Sequence, residues 1–489
     1  MAELETSPEY ILTLKKGVTL ALESDALVVK DRDLAKRNRT RFCGVSIGKA
    51  PAKITLPYYN ILWASVGSDE IVLDYVTDTS KKHLNCEKLQ YSLGEVPVAT
   101  AQVWTETLLN RAYGQAQRQR RAKVLINPPC WTWGMTLDVV KTTHQGQGIE
   151  ICETLDIDAY DIVVVCSGDG LAYEVFNGLG KRADARSALQ KTAVAHIPCG
   201  SGNALSCNLN GSHLPGPSAL AVVKGIRTSV DLMSLTQGSQ RMLSFLSQSV
   251  GIIAECDLGT EHMRWLGAKR FDVGVAQRIL SKKVYPCDIA IKVELENKDQ
   301  IKAHYKRIRN GEESSQKKDS GESTAETSLP ASESKTDAGE GLPPLRFGTV
   351  NDKIPEDWQT ISYDKLGNFY CGNMAWMAPN ANFFNAACMN DGLMDVVVND
   401  GDIPALKYVD LMTSVETGKF FDNSLVSYRK VVAYRFTPRD QADGYISIDG
   451  ERVPFEPFQV EVHSGLGTVI SKGGRYEANG PPNWEKSAI

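Results

Sequence analysis

Asp161-Ile162-Val163-Val164-Val165-Cys166-Ser167-Gly168-Asp169-Gly170-Leu171 sets the architecture. A short continuous apolar run that ends in a Gly/Ser turn reads as a strand buried on both faces of a parallel sheet. Leu171, Val175 and Leu179 follow at i, i+4 and i+8, the period of a helix packing one face on that sheet. Taken alone, Ser167-Gly168-Asp169-Gly170 reads as a tight turn with Asp169 capping the helix. One strand later the construction repeats: Ala193-Val194-Ala195-His196-Ile197 runs into Pro198-Cys199-Gly200-Ser201-Gly202-Asn203 and then Ala204-Leu205. Glycines there allow close backbone approach to a ligand, and a helix N-terminus behind them favours an anion. Two such turns at one sheet edge make a shared phosphate site the better account. Neither turn follows the P-loop order or the G-x-G-x-x-G order of a dinucleotide fold.

Working outward, residues 122–235 alternate apolar runs with helical periods, which indicates α/β layers. Beyond about Leu235 the pattern is alternating and β-like, as in Phe458-Gln459-Val460-Glu461-Val462-His463, and continues to about Ile470. Between Ile11 and Tyr75 short β-rich runs dominate, with Val18, Leu20 and Leu22 alternating and Ile71 to Val76 following a turn at Gly67-Ser68-Asp69-Glu70. A helix over Val103–Tyr113 closes that region, an arrangement similar to a pleckstrin-homology-like (PH-like) module. The expected division is 1–121 PH-like, 122–235 α/β, 236–476 β-rich and 477–489 tail. Residues 309–343 are dominated by Ser, Glu, Lys, Thr and Gly and are read as a disordered insertion, because they lack the apolar side chains to offset their ordering entropy.

The 489 residues are 42% hydrophobic and 23% charged, which excludes a wholly disordered or fibrous chain. Fifty-four basic against 59 acidic side chains leave a formal charge of −5, so no nucleic-acid partner is expected. The start Met1-Ala2-Glu3-Leu4-Glu5 lacks a signal-peptide layout, and no apolar run approaches a bilayer span. Eleven cysteines without a C-x-x-C pair fit a reduced intracellular chain, and they form no metal-ligand spacing with the seven histidines. His196 and Cys166 are read as core residues. A cytoplasmic protein, soluble or peripheral to a membrane, is the expectation; the sequence sets no oligomeric state.

Ser167-Gly168-Asp169-Gly170-Leu171, with Glu174-Val175-Phe176-Asn177-Gly178-Leu179 and then Gly200-Ser201-Gly202-Asn203-Ala204-Leu205, resembles the catalytic domain of sphingosine (sphingoid long-chain base) kinases of the diacylglycerol kinase superfamily. The likeness runs from about Lys123 to Tyr476, and Pro57-Tyr58-Tyr59-Asn60-Ile61-Leu62-Trp63-Ala64 extends it in the manner of fungal members. Diacylglycerol and ceramide kinases usually carry Gly-Gly-Asp-Gly at the first turn, so Ser167 favours the sphingoid branch. The resemblance implies that 122–235 is an NAD-kinase/diacylglycerol-kinase-like α/β nucleotide-binding domain and 236–476 a β-sandwich lipid domain, and an ATP- and Mg²⁺-dependent kinase acting on a sphingoid base at a membrane surface. It implies Asp169 as the base that takes the proton of the lipid hydroxyl. It implies ATP contacts from Asn127, Thr142, Ser167, Gly168, Gly170, Glu174, Gly200, Ser201, Gly202, Arg264, Arg270, Gly450 and Glu451. Asp257 is implied to hold the lipid amine, and Asp449 to help hold Mg²⁺ through water. Read without the family, the segment Glu255 to Phe271 is a solvated helix with i, i+3 ion pairs such as Glu261 to Arg264. The same reading makes Asp443 to Glu451 a hairpin turn. Asn390-Asp391-Gly392-Leu393-Met394-Asp395 is a further family landmark, read as structural, and Tyr173 stands where the family often has histidine.

One part departs from the family. Asn127-Pro128 should lead into a glycine-rich phosphate loop and a long helix, but Pro129-Cys130-Trp131-Thr132-Trp133-Gly134-Met135 follows and the next strand starts at about Thr136. A parallel crossover takes roughly a dozen residues or more and usually contains a helix. The expectation is that about 25 residues, the length of such a loop and helix, are absent through a mis-predicted splice junction or a shortened isoform. The competing reading is a lipid-binding or regulatory protein with impaired catalysis; a diacylglycerol or ceramide kinase is the other alternative. The basic stretch Arg118 to Lys123 and the insertion are the sequence candidates for membrane control.

Overall fold

The computed structural model describes residues 10–32, 41–42, 45–46, 53–80, 83–126, 136–259, 283–311, 341–478 and 480. Asn127, Arg264, Arg270 and the interior of the expected insertion (312–340) lie outside the described residues. The chain divides into two compact units, one of residues 1–120 with 131–136 and 219–226, the other of 121–130, 137–218 and 227–489.

In the first unit, β1 (Ile11–Thr13), β2 (Thr19–Leu22), β3 (Ala26–Lys30) and β4 (Lys53–Pro57) form an antiparallel sheet. A second antiparallel sheet is made of β5 (Ile61–Val66), β6 (Glu70–Ser80) and β7 (His83–Ser92). Helix α1 (Val98–Tyr113) follows, beginning at Val98 rather than at Val103 because Pro97, which has no N–H to lose, supplies its start. Ala101, Trp104, Leu108 and Ala112, spaced at three and four residues, bury one face of α1 in a core shared with Leu20, Leu27, Leu73 and Leu89. Arg120 is buried and donates to the Val222 carbonyl at 2.7 Å and to that of Gly225, which ties residues 219–226 into this unit. The basic stretch is therefore engaged within the protein: Arg118 pairs with Glu106 at 2.9 Å, Arg121 with Asp161 at 2.9 Å and Lys123 with Asp138 at 2.8 Å.

The second unit begins with the expected α/β alternation. It runs β8 (Arg121–Ile126), β9 (Thr136–Lys141), α2 (Gln147–Glu153), β10 (Ile162–Ser167), α3 (Asp169–Gly180), β11 (Ala193–Pro198) and α4 (Ala204–Asn210). β8, β10 and β11 are parallel neighbours, with Leu125 opposite Val165 and Val165 opposite His196. β9 lies beside β8 at the sheet edge. Lys123 meets Asp138, and the Thr142 N–H donates to the Ile126 carbonyl at 3.1 Å; the two links advance together along both strands, so they run the same way. Residues 127–135 are all the chain that joins them. Helix α3 buries Leu171, Val175 and Leu179 as the spacing requires. It packs so closely on α2 that a Cβ at Gly178 would come 2.6 Å from the Ile149 carbonyl oxygen and 2.7 Å from the Cys152 Cβ. Gly178→Ala is expected to destabilise the protein by about 1–3 kcal/mol, the usual cost of overpacking; an unchanged urea midpoint would contradict that close approach.

The remaining strands are mainly antiparallel: β12 (Ile226–Gln237), β13 (Gln240–Ser244), β14 (Ser247–Gly251), β15 (Cys287–Leu295), β16 (Leu366–Gly372), β17 (Met394–Asp400), β18 (Ser427–Pro438), β19 (Ile446–Ile448), β20 (Glu451–Val453) and β21 (Phe458–Ser471). Among the described residues three helices interrupt them, α5 (Ile252–Gly259), α6 (Lys298–Arg309) and α7 (Ala405–Glu416). One 15-stranded sheet runs β9-β8-β10-β11-β21-β18-β17-β16-β14-β19-β20, with β12 attached at β21, β13 at β12, β15 at β18, and a further strand, Gln359–Tyr363, at β15. The long β21 joins the halves: Val469 pairs with Val194 of the parallel part, and Tyr434 with Val460 in the antiparallel part. The expected boundary at 235 falls inside β12, and one hydrophobic core includes Val163, Val194, Phe369 and Val460. The α/β region and the β-rich region are thus one unit. The expected insertion is also shorter at its described ends, because Arg309 closes α6, where its guanidinium holds the Ala478 carbonyl at 2.5 Å, and Leu342 packs on the core.

The family landmark at Asn390 to Asp395 holds buried charges. Lys430, whose side chain has no exposed surface, sits 3.1 Å from Asp391 and 3.0 Å from Asp395, both equally enclosed. Burial alone would drive the Lys430 ammonium down; the two carboxylates outweigh it and raise it. Asp231 joins this region by accepting the N–H groups of Gly392 and Gly465, each at 2.6 Å, and burial pushes its carboxyl up to about 7.

Candidate active site

The paired strands place the two glycine turns side by side. Ser167 is level with Pro198, and the Cys199 N–H donates to the Ser167 carbonyl at 2.8 Å. A Cβ on Gly200 would lie 2.5 Å from the Gly168 Cα, so the turns can approach this closely only with glycine at position 200. Asn203, in a left-handed conformation with φ 56°, braces the second turn by accepting from the Gly200 N–H at 2.8 Å and donating to its carbonyl at 2.7 Å. The Asp169 carboxylate accepts the N–H groups of Ala204 and Leu205, both at 2.9 Å. Asp169 is therefore a cap, but of the helix after the next strand rather than of its own, and that bond locks the two turns together. Its side chain is 13% exposed.

A third turn completes the group. Asp449 and Gly450, with φ 51° and 88°, make the two-residue hairpin between β19 and β20. Glu451 brings one carboxylate oxygen to 3.3 Å from a Cβ position at Gly170, and the other accepts from the Gln145 amide at 2.8 Å. Asp257, on α5, accepts from the Ser447 hydroxyl at 3.2 Å and lies 3.9 Å from a Cβ position at Gly450. The structure thus gathers Ser167, Gly168, Asp169, Gly170, Gly200, Ser201, Gly202, Gly450, Glu451 and Asp257 about one edge of the sheet. Thr142 ends β9, its N–H bonded to Ile126, and leads into the turn that carries Gln145.

Two expected ligands are occupied otherwise. Glu174 receives the N–H groups of Gly146 and Gly148 at 2.9 and 2.8 Å, so its carboxylate fastens the turn before α2 to α3 rather than facing a nucleotide. Asp449 is 3% exposed and accepts four hydrogen bonds, from the Ser244 hydroxyl at 2.6 Å and from the N–H groups of Phe245, Leu246 and Ser247 at 2.9, 3.0 and 2.8 Å. Burial raises its carboxyl to about 6 despite those donors. That donor set suits a structural anchor and does not fit a metal ligand. The carboxylates on the partly exposed side of the turns are those of Asp169, Asp257 and Glu451. Reading the sequence missed Asn203 and Gln145 as site-building residues. It also missed that His196 touches both turns: its Nε2 lies 2.9 Å from the Ser167 carbonyl oxygen and its Nδ1 3.9 Å from Asp169. Histidine in an otherwise apolar strand was the one available signal.

Residues 107–235 match the diacylglycerol kinase catalytic domain, and residues 10–114 match a domain of unknown function, DUF7493. Sphingoid long chain base kinase 4 of Schizosaccharomyces pombe is 32% identical over 451 residues, covering 88% of this chain and 91% of that protein. The chain belongs to the sphingoid long-chain base kinase family. Sphingoid long chain base kinase 5 of Saccharomyces cerevisiae is also 32% identical, over 76% of this chain, and the chain spans 62% of that longer relative. Among solved structures, a diacylglycerol kinase from Bacillus anthracis superposes with a TM-score of 0.43 at 15% identity, over 72% of this chain and 97% of its own. In this member of the family the Asp169 turn, the 200–204 turn and the β-rich region that carries Asp257 form a single folded unit.

Proposed function

We propose that the protein transfers the γ-phosphoryl group of ATP to the primary hydroxyl of a sphingoid long-chain base, giving the 1-phosphate. The observation that carries this reading is the Asp169 carboxylate, held between two glycine turns by the Ala204 and Leu205 N–H groups yet still partly exposed. Phosphoryl transfer asks little covalent chemistry of a protein: it needs phosphates cradled by backbone donors and a carboxylate to take the hydroxyl proton. The turns at 167–170 and 199–203 supply the cradle, Asp169 the carboxylate, and Asp257 a negative partner for the lipid ammonium. Mg²⁺ would neutralise charge on the phosphates; Asp449 is not its ligand in this reading.

Purified protein incubated with Mg²⁺, labelled ATP and sphinganine should yield labelled lipid, while diacylglycerol and ceramide in parallel should not. Labelling of diacylglycerol instead would assign the chain to a sister activity. Asp257→Asn should raise the KM for sphinganine roughly 10-fold or more, the worth of a charge-assisted bond, and leave the KM for ATP unchanged; equal effects on both would remove Asp257 from the amine site. The short join between β8 and β9 favours a second reading, a lipid-binding protein with impaired turnover. Lipid binding without phosphate transfer would establish it, and sequencing the transcript across Pro128 to Met135 would reveal any in-frame segment omitted there. The two antiparallel sheets closed by α1 support a PH-like first unit. A long-chain amine partitions into bilayers, which supports a cytoplasmic enzyme with peripheral membrane contact; no helix among the described residues is long and apolar enough to cross a membrane.

A further inference from the structure

We propose that His196 receives from Asp169 the proton that Asp169 takes from the lipid hydroxyl, a role that rests on the kinase reading above. His196 lies in β11 with no exposed side-chain surface, opposite Val165 of β10. Its Nε2 is 2.9 Å from the Ser167 carbonyl oxygen. A carbonyl only accepts, so Nε2 carries the hydrogen, and the neutral ring presents a bare lone pair at Nδ1. That atom is buried without a hydrogen-bond partner, 3.9 Å from the Asp169 Oδ1. A lone pair enclosed against a carboxylate is unfavourable until one proton sits between them, and Asp169 acquires such a proton in every turnover.

In the transfer, the lipid O–H bond breaks and its oxygen forms the new bond to the γ-phosphorus as the bond from that phosphorus to the ADP oxygen breaks. The proton goes to Asp169 and on to Nδ1, leaving a carboxylate and an imidazolium. It returns through Asp169 to water as the products leave. Among the described residues, Asp169 is the charged group within 4.0 Å of the ring nitrogens. From α4, Asn210 donates its amide to the His196 carbonyl at 3.0 Å, and Cys207 feels the Asp169 charge, its thiol pushed up to about 12 by burial and by Asp169 and so neutral. On the flanking strands β10 places Val165 level with His196, and β21 pairs Val469 with Val194. His196 is thus a positioning residue that acts through Asp169.

The test is His196→Gln, whose amide nitrogen can still donate to the Ser167 carbonyl but which offers no basic nitrogen. We expect kcat to fall roughly 10-fold or more, the scale of a lost proton-transfer partner, with both KM values within about twofold of wild type by the same reasoning. The kcat–pH profile should change shape, because the variant lacks the basic nitrogen to which Asp169 passes its proton. If H196Q does not fold, His196→Asn carries the same measurement. Wild-type kcat and an unaltered pH profile in an active enzyme would overturn the relay alone. A fall in kcat that tracks lost thermal stability, with the profile unaltered, would also overturn it and leave a purely structural histidine. A wild-type protein that phosphorylates no lipid would overturn the kinase reading and the relay together.

Discussion

Replacing Asp169 with Asn should lower kcat for sphinganine phosphorylation by roughly 10²–10⁴-fold, the range for loss of a positioned general base. The substitution keeps the size of the side chain but removes its charge and one acceptor. An NH₂ group must then face the N–H of either Ala204 or Leu205, both of which donate to the carboxylate in the native protein. That conflict costs about 1–3 kcal/mol for an unsatisfied buried donor. Unfolding and ATP binding should therefore be measured beside the rate. The expected pattern is a moderate drop in melting temperature, retained ATP binding and a rate loss far beyond what the lost stability explains. A variant within about fivefold of wild type, far short of that range, would show that Asp169 serves only as the cap that joins the two turns.

Lys430→Met should be the most destabilising single change in the second unit, at about 3–5 kcal/mol, the usual outcome of stripping one partner from a buried ion pair. Methionine fills nearly the same length, so the loss is electrostatic rather than a cavity. Asp391 would keep the His304 ring at 2.8 Å, and Asp395 would keep the Tyr428 hydroxyl at 2.6 Å, but neither would retain a lysine ammonium. Urea denaturation reads the effect directly. Adding Asp395→Asn to Lys430→Met should recover part of it, because the second carboxylate then no longer needs a counter-charge. A single variant within about 0.5 kcal/mol of wild type, well below the buried-pair range, would show that water or another cation compensates.

The strand-turn-helix units were legible in the sequence because their signals are local: an apolar run, two glycines and a period of four fall within 20 residues of one another. β9 was legible down to its ends for the same reason. What these turns touch was not legible. The partners of Asp169 lie across a strand, and Glu451 meets Gln145 from 306 positions away. Asp449 shows the hazard in the other direction. In an Asp-Gly hairpin it resembles an exposed ligand, and only the burial of the Ser244 to Ser247 backbone around it reveals an anchor. The boundary at 235, where the diacylglycerol kinase catalytic match also ends, lies within β12, since a change of hydrophobic rhythm marks a change of strand type and says nothing about which strands share a sheet.

The position of β21 has a consequence for how the protein is made. The parallel strands with the Asp169 turn are complete in sequence by Pro198, yet the neighbour of β11 in the sheet arrives only with Phe458 to Ser471. A ribosome must therefore translate through Ser471 before the nucleotide half loses its open edge. Any product halted earlier exposes that edge to aggregation and quality control. Truncation should yield degraded chains rather than a small active kinase.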